Sequence, residues 1–241
     1  MCFTVSIYAG THVIETDVGV VFDDAGAYTP YFHVNGFVHP ELPIITGERP
    51  NAIEMMSWGL VPRWTRDAAS ADDIRSKTLN ARAETLFEKP SFRDAANKRR
   101  ALLPVNGFVE WRHDGSLKQP YLVRNGNGKL LTLGCVWDEW TDRGTGDIRR
   151  TFSIVTTEAN ALLSWVHNAK QRMPVIISPS ARRAWLSDVD RDEVMRLMRP
   201  LEEGLIEAIP LDRAVSRIKV NTDHPELLVP IGPALHEAPE T

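Results

Sequence analysis

Cysteine is scarce in this 241-residue chain, which has two, Cys2 and Cys135. Neither stands in a Cys-x-x-Cys pair or a His-Cys cluster, which argues against a disulfide framework and against a structural zinc site. Both thiols are expected reduced, and neither a metal nor any other cofactor is implied. No apolar run approaches the roughly 18–20 residues that a membrane span needs, and the N-terminus lacks the basic region and apolar core of a signal peptide. No membrane partner is expected, and the expected compartment is the cytoplasm. Positive charge is not in excess either. A net charge of −4 leaves any nucleic-acid binding to a local patch rather than to the whole surface. Repeats and low-complexity segments are missing, and 43% hydrophobic with 25% charged residues describe an ordinary globular composition with enough material for a large core. One domain is expected over residues 1–235, with 236–241 as a mobile tail.

What the chain does have begins at its first two residues, Met1-Cys2. A side chain as small as that of Cys2 lets a methionine aminopeptidase remove Met1, and Cys2 then becomes the N-terminus. Its thiol has a reference pKa of about 8.5 and its α-amine one of about 7.7–8.0, so part of each is nucleophilic near neutrality. On adjacent carbons the two groups can attack one aldehyde, the amine giving a Schiff base and the thiol closing it to a thiazolidine. A small apolar residue at the start of a strand over 2–7 would look the same in sequence. The rest of the chain has to decide between these readings.

The pattern is β-rich with peripheral helices. Residues 28–45 are punctuated by Pro30, Gly36, Pro40 and Pro43 and read as loops around short strands. A strand over 55–60 runs into Val61-Pro62-Arg63-Trp64, which presents an indole and a cation side by side. Residues 81–87 and 90–98 read as short helices, the second opened by a proline. An apolar run over 102–111 reads as one strand that places Glu110 beside Trp111. A carboxylate buried there should have its pKa raised by desolvation, which suits a residue that gives and takes protons near pH 7. Further strands are expected over 121–123, 130–137 and 151–156, with the glycine pairs of 126–128 and 144–146 as hairpin connections. A helix over 158–166 delivers His167 into an irregular segment before a strand over 175–177. Helices over 180–186 and 190–197 follow, the second turning Val194 and Leu197 toward the core.

The local patch that the net charge hides lies between positions 75 and 100. Eight basic residues stand there (Arg75, Lys77, Arg82, Lys89, Arg93, Lys98, Arg99, Arg100) against three acidic ones, Glu84, Glu88 and Asp94. With aromatic residues nearby, such a run suits a phosphate-backbone track for a single strand.

Taken in order, Met1-Cys2, Trp58-Gly59-Leu60-Val61-Pro62 with Trp64, Asn80-Ala81-Arg82-Ala83-Glu84-Thr85, Gly107-Phe108-Val109-Glu110-Trp111, Lys118-Gln119-Pro120, Thr156-Thr157-Glu158-Ala159-Asn160, and His167 with Arg172-Met173-Pro174 resemble the SOS response-associated peptidase (SRAP) proteins, which act as abasic-site processing proteins. The resemblance implies an α+β single domain, a β-barrel-like and mostly antiparallel sheet core with peripheral helices, acting as a monomer. It implies a groove for single-stranded DNA containing abasic sites and a covalent cross-link to the ring-opened sugar, together with lyase-type and autoproteolytic activity. Bound to its substrate, such a protein would be nucleoid-associated.

Carried over by position, the resemblance makes Cys2 the nucleophile, Asn80 the residue that orients it, Glu110 the acid/base, and His167 the partner near the sugar and its phosphate. Trp64, Arg75, Lys77, Arg82, Trp111 and Arg172 would bind DNA, with Glu84 pairing Arg82. Phe3-Thr4 stand where most members have Gly-Arg, which removes a phosphate contact beside the nucleophile. Two other classes stay open: an N-terminal-nucleophile amidohydrolase, which would also expose Cys2, and a non-covalent single-strand binding module, which would need neither Glu110 nor His167.

Overall fold

The computed structural model describes residues 2–202, 204–217 and 223–239. In chain order β1 (Thr4–Ile7), α1 (Thr11–Val18), β2 (Val21–Phe22), β3 (Tyr31–Asn35), β4 (Glu41–Thr46), β5 (Ala52–Trp58) and α2 (Ala68–Arg75) come first. Next are β6 (Asn80–Arg82), α3 (Arg93–Lys98), β7 (Arg100–Val105), β8 (Gly107–Asp114), β9 (Leu117–Asn125), β10 (Leu131–Thr141) and β11 (Ile148–Glu158). Then α4 (Ala161–Val166), β12 (Arg172–Pro174), α5 (Arg182–Leu186), α6 (Arg191–Leu197) and β13 (Ile206–Pro210) follow. Several helices start where a side chain satisfies a free backbone N–H: Asp67 accepts from Ser70 N, Asn160 from Leu163 N and Asp190 from Glu193 N. Among the described residues no helix is long and apolar enough to cross a membrane.

Two sheets carry the architecture. One has the order β13-β9-β8-β1-β3, and its pairings are antiparallel. The other runs β12-β11-β10-β7-β4-β5-β2, and β5 also pairs β11, so that β11, β10, β7, β4 and β5 close into a barrel. Closure leaves these strands without a free edge. Cys2, Val5 and Phe108 from the first sheet share one core with Leu102, Cys135, Phe152 and Ile154 from the second, so the α+β, barrel-like expectation is met.

The strand expected over 175–177 lies instead at Arg172–Pro174, with only an isolated bridge at Ile176 beyond it, and the helix expected over 158–166 begins at Ala161 because β11 runs on to Glu158. Three further differences each have a local reason. The run over 102–111 is two strands in different sheets, divided at Asn106. The Asn106 side chain accepts from Tyr8 N at 2.8 Å and Ala9 N at 2.9 Å, which fixes the turn of the chain there. Residues 80–82 form β6, parallel to Ile154, Val155 and Thr156, and the following Ala83–Thr85 are a 3-10 turn rather than part of a helix over 81–87. The ladder outweighs the helical propensity of Ala and Glu. The segment 126–128 joins strands of different sheets and makes no hairpin, whereas 142–147 does connect the antiparallel pair β10 and β11. Near the C-terminus Leu235 and Ala208 exchange backbone hydrogen bonds at 2.8 Å. Residues 240–241 of the expected mobile tail lie outside the described residues.

Candidate active site

β1 and β8 are neighbours, with Val5 opposite Phe108 and Ser6 opposite Gly107. The strand that follows the N-terminus therefore runs beside the strand that carries Glu110. Gly107 is required there: a Cβ would sit 2.5 Å from the Val123 carbonyl oxygen, so a larger residue would push β8 off β9. Cys2 is fully buried and its Sγ donates to the Thr4 carbonyl at 3.9 Å. Burial pushes the thiol up from its ordinary value, and the Glu110 carboxylate pushes it further.

Asn80 reaches the same place from the barrel. β6 is held against β11, and from there the Asn80 Nδ2 donates to the Cys2 carbonyl at 2.9 Å. Its Oδ1 is buried and accepts from no group among the described residues. One strong acceptor is thus aimed beside Cys2 without a protein donor to satisfy it.

Glu110 is 3% exposed, and burial raises its pKa to about 7. His167, at the C-terminal end of α4, places Nε2 3.8 Å from the Glu110 Oε2. The His167 Nδ1 lies 2.9 Å from the Arg172 carbonyl oxygen. A carbonyl only accepts, so the proton of the neutral ring sits on Nδ1 and the lone pair of Nε2 turns toward Glu110. Burial lowers the His167 pKa to about 4. At neutral pH the contact is therefore no ion pair. It is a carboxyl poised between its two protonation states beside a neutral imidazole, an arrangement that can deliver or remove one proton.

Glu110 and His167 line a cavity of about 480 Å³ together with Phe3, Trp111 and Lys170 among others, and the buried Cys2 lies behind them rather than in its lining. Trp111 is half-buried, its indole N–H donating to the Ser216 Oγ at 2.8 Å. A second cavity of about 570 Å³ is lined by Arg82, Glu158, Ser164, Lys170 and Arg172. Lys170 borders both, and sequence reasoning missed it. It stands in a turn wrapped on His167, whose carbonyl accepts from Lys170 N at 3.2 Å and Gln171 N at 2.8 Å, while Gln171 takes a left-handed φ of 51°. The available signal was the irregular segment between His167 and Arg172-Met173-Pro174, which places the exposed Lys170 within three residues of His167.

The other expected DNA-binding residues separate. Arg82 is exposed at the rim of the second cavity. Arg172 forms a two-point ion pair with Glu84, Nη2 to Oε2 at 3.0 Å, and donates to the Thr156 carbonyl at 2.7 Å. Glu84 thus pairs Arg172 instead of Arg82, because the 3-10 turn after β6 carries it to the end of β11, where β12 delivers Arg172. Trp64 is exposed with its indole N–H on the Pro90 carbonyl at 3.2 Å, and the preceding Arg63 is fixed through N and Nε to the buried Asp138 at 3.0 Å each. Arg75 and Lys77 line neither cavity. Arg75 donates to the Ser57 Oγ and lines a separate cavity of about 380 Å³ with Arg149 and Arg150, while Lys77 pairs Asp73 at 2.7 Å. Cys135 is fully buried, and burial raises its thiol well above the ordinary value.

Residues 1–218 match the family described as SOS response associated peptidase (SRAP). The chain is 32% identical over 206 residues to the abasic site processing protein YoqW of Bacillus subtilis (strain 168), covering 84% of this chain and 87% of that one. It is 31% identical over 198 residues to the abasic site processing protein HMCES of Gallus gallus, covering 73% of this chain and 56% of that one. A crystal structure of a protein from Bacteroides thetaiotaomicron superposes with a TM-score of 0.88 at 33% identity, over 94% of this chain and 98% of that chain.

Proposed function

This chain belongs to the SOS response associated peptidase (SRAP) family, and from that premise we propose that it processes abasic sites in single-stranded DNA by forming a covalent cross-link through Cys2. The observation that carries the proposal is the buried pair of Glu110, raised to about 7, and neutral His167, 3.8 Å apart beside Cys2. An abasic deoxyribose is mostly a closed hemiacetal. Glu110 takes the proton of the C1′ hydroxyl while the C1′–O4′ bond breaks, O4′ gains a proton, and C1′ becomes an aldehyde. Once Met1 has been removed, the α-amine of Cys2 attacks C1′, water leaves, and an imine forms.

The thiol then adds to C1′ while its proton passes to the imine nitrogen, giving a five-membered thiazolidine with the net loss of one water. A thiol held protonated by burial suits this last step, because the proton that the nitrogen needs travels with the sulfur. Asn80 holds the Cys2 carbonyl and leaves its Oδ1 to receive a donor from the amine or the sugar. Arg82, Lys170 and Arg172 border the second cavity and would take the flanking phosphates, with Trp64 and Trp111 packing on bases or sugar. Lyase-type turnover belongs to the same reading: from the imine, removal of a C2′ proton expels the 3′ phosphate.

Intact mass spectrometry after mixing the Met1-processed protein with single-stranded DNA carrying one abasic site tests the proposal. The expected product has the summed mass of protein and oligonucleotide less one water, and Cys2→Ala forms no heat-stable adduct while still binding the strand. A full-yield, heat-stable adduct with Cys2→Ala would refute it.

A further inference from the structure

Phe37 is an apolar ring on a rigid mount, and 54% of it remains exposed. The turn that carries it is fixed at several points. The Asn35 Oδ1 accepts from Phe37 N at 2.9 Å, Gly36 N donates to the Phe3 carbonyl at 2.8 Å, and His39 N returns to the Gly36 carbonyl at 3.0 Å. Gly36 itself lies flat on the Trp58 ring, where a Cβ would come within 3.0 Å of three ring atoms. Val38 beside Phe37 is 46% exposed as well, so the turn presents a contiguous apolar patch rather than a single exposed side chain, and such patches mark contact sites. The Phe37 ring lies 5.1 Å from that of Phe3, centroid to centroid and tilted by 36°. Phe3 continues the apolar surface into the cavity of Glu110 and His167. Thr4, next in the chain, is buried, so this stretch offers no cation to a phosphate. What it offers is a pair of rings.

We propose that Phe3 and Phe37 form a stacking subsite for the nucleobase adjacent to the lesion, at the mouth of the cavity that receives the abasic sugar. The subsite rests on the proposed processing of abasic sites and adds a ligand to it. A strand whose baseless sugar lies against Glu110 and His167 brings a neighbouring base to the rim that these two rings make. Every base has a π-face, so the subsite selects for the presence of a base and for its stacking area rather than for its hydrogen-bonding edge.

The test uses strands in which the lesion is a tetrahydrofuran analogue, which has no aldehyde and cannot be cross-linked, with binding followed by fluorescence anisotropy. The base next to the analogue, on the 5′ or the 3′ side, is adenine, thymine or a second tetrahydrofuran. Wild-type protein is expected to bind the adenine-flanked strand more tightly than the baseless one by roughly five- to a hundredfold on one side only, with thymine between. Phe37→Ala and Phe37→Leu should lose most of that ratio, and Phe37→Trp should keep it. Both sides discriminating alike, no discrimination by the wild type, or a ratio unchanged in Phe37→Ala would overturn the subsite. So would a loss in Phe37→Ala that is equal for all flanks. If wild-type protein cross-links true abasic DNA and yet shows no flank preference, the stacking subsite fails and the cross-linking reading stands.

Discussion

Replacing Glu110 with glutamine is expected to stabilise the folded protein at alkaline pH while removing its proton relay. Burial lifts the Glu110 carboxyl from an ordinary 4.5 to about 7, whereas in the unfolded chain it titrates near its reference value. Between those two values the folded state keeps a proton that the unfolded state has released, so this group makes stability fall as pH rises through that window. A shift of that size, at 1.36 kcal/mol per unit, corresponds to about 3 kcal/mol, fully expressed at pH 8. Glutamine has the shape of the protonated acid and never ionises, so Glu110→Gln should match the wild type near pH 4 and exceed it by about 3 kcal/mol at pH 8. For a chain of this length that is roughly 6–12 °C in Tm.

His167 has the opposite sign. Its folded pKa of about 4 lies below the ordinary 6.5, so its contribution is present above 6.5 and lost as pH falls toward 4. In the wild type the two slopes oppose one another between pH 4.5 and 6.5. In Glu110→Gln the histidine slope stands alone, and stability should rise with pH across that interval. Calorimetric scans at pH 4.5, 6 and 8 read both effects. A Tm difference between Glu110→Gln and wild type that is the same at pH 4.5 and pH 8 would refute the raised carboxyl and, with it, the argument for a relay.

If Arg82 and Lys170 hold phosphates, Arg82→Ala and Lys170→Ala should each lessen the slope of log affinity against log salt by about 0.7 on single strands, measured by anisotropy between 50 and 200 mM salt; unchanged slopes would place the phosphates elsewhere. Gly36→Ala should cost about 1–3 kcal/mol through overpacking on Trp58, seen as a lower denaturation midpoint, and an unchanged midpoint would show that the turn is free to shift.

The chemistry was more legible in the sequence than the topology. Glu110 stood out because a carboxylate inside an apolar run demands a reason, and the fold supplies it as burial beside His167. The break at Asn106 did not stand out. The Asn106-Gly107 pair is a turn signal, but the apolar residues on either side read as one strand across it, and what ends the first strand is a side-chain carbonyl capping the N–H groups of Tyr8 and Ala9, almost a hundred residues away. β6 was hidden for a similar reason, since its ladder partner lies on β11 and its own residues favour a helix. Charge was the poorest guide. Arg75, Lys77 and Arg82 are close in sequence, but of the three only Arg82 borders the cavity shared with Lys170 and Arg172, because α2 ends before β6 joins β11.

The division at Asn106 also governs when the molecule can react. Cys2 and Glu110 are brought in by one sheet and Asn80 by the other, with 78 positions separating Asn80 from the carbonyl that it grips. Contacts so distant in sequence close late in folding, after local turns and helices have formed. A nascent or half-denatured chain therefore carries the amine and the thiol but neither the proton relay nor the grip that aims them. Fast covalent capture becomes a property of the finished tertiary structure, and an unfolded copy keeps only the slow, unaided reaction of its amine and thiol with the aldehyde.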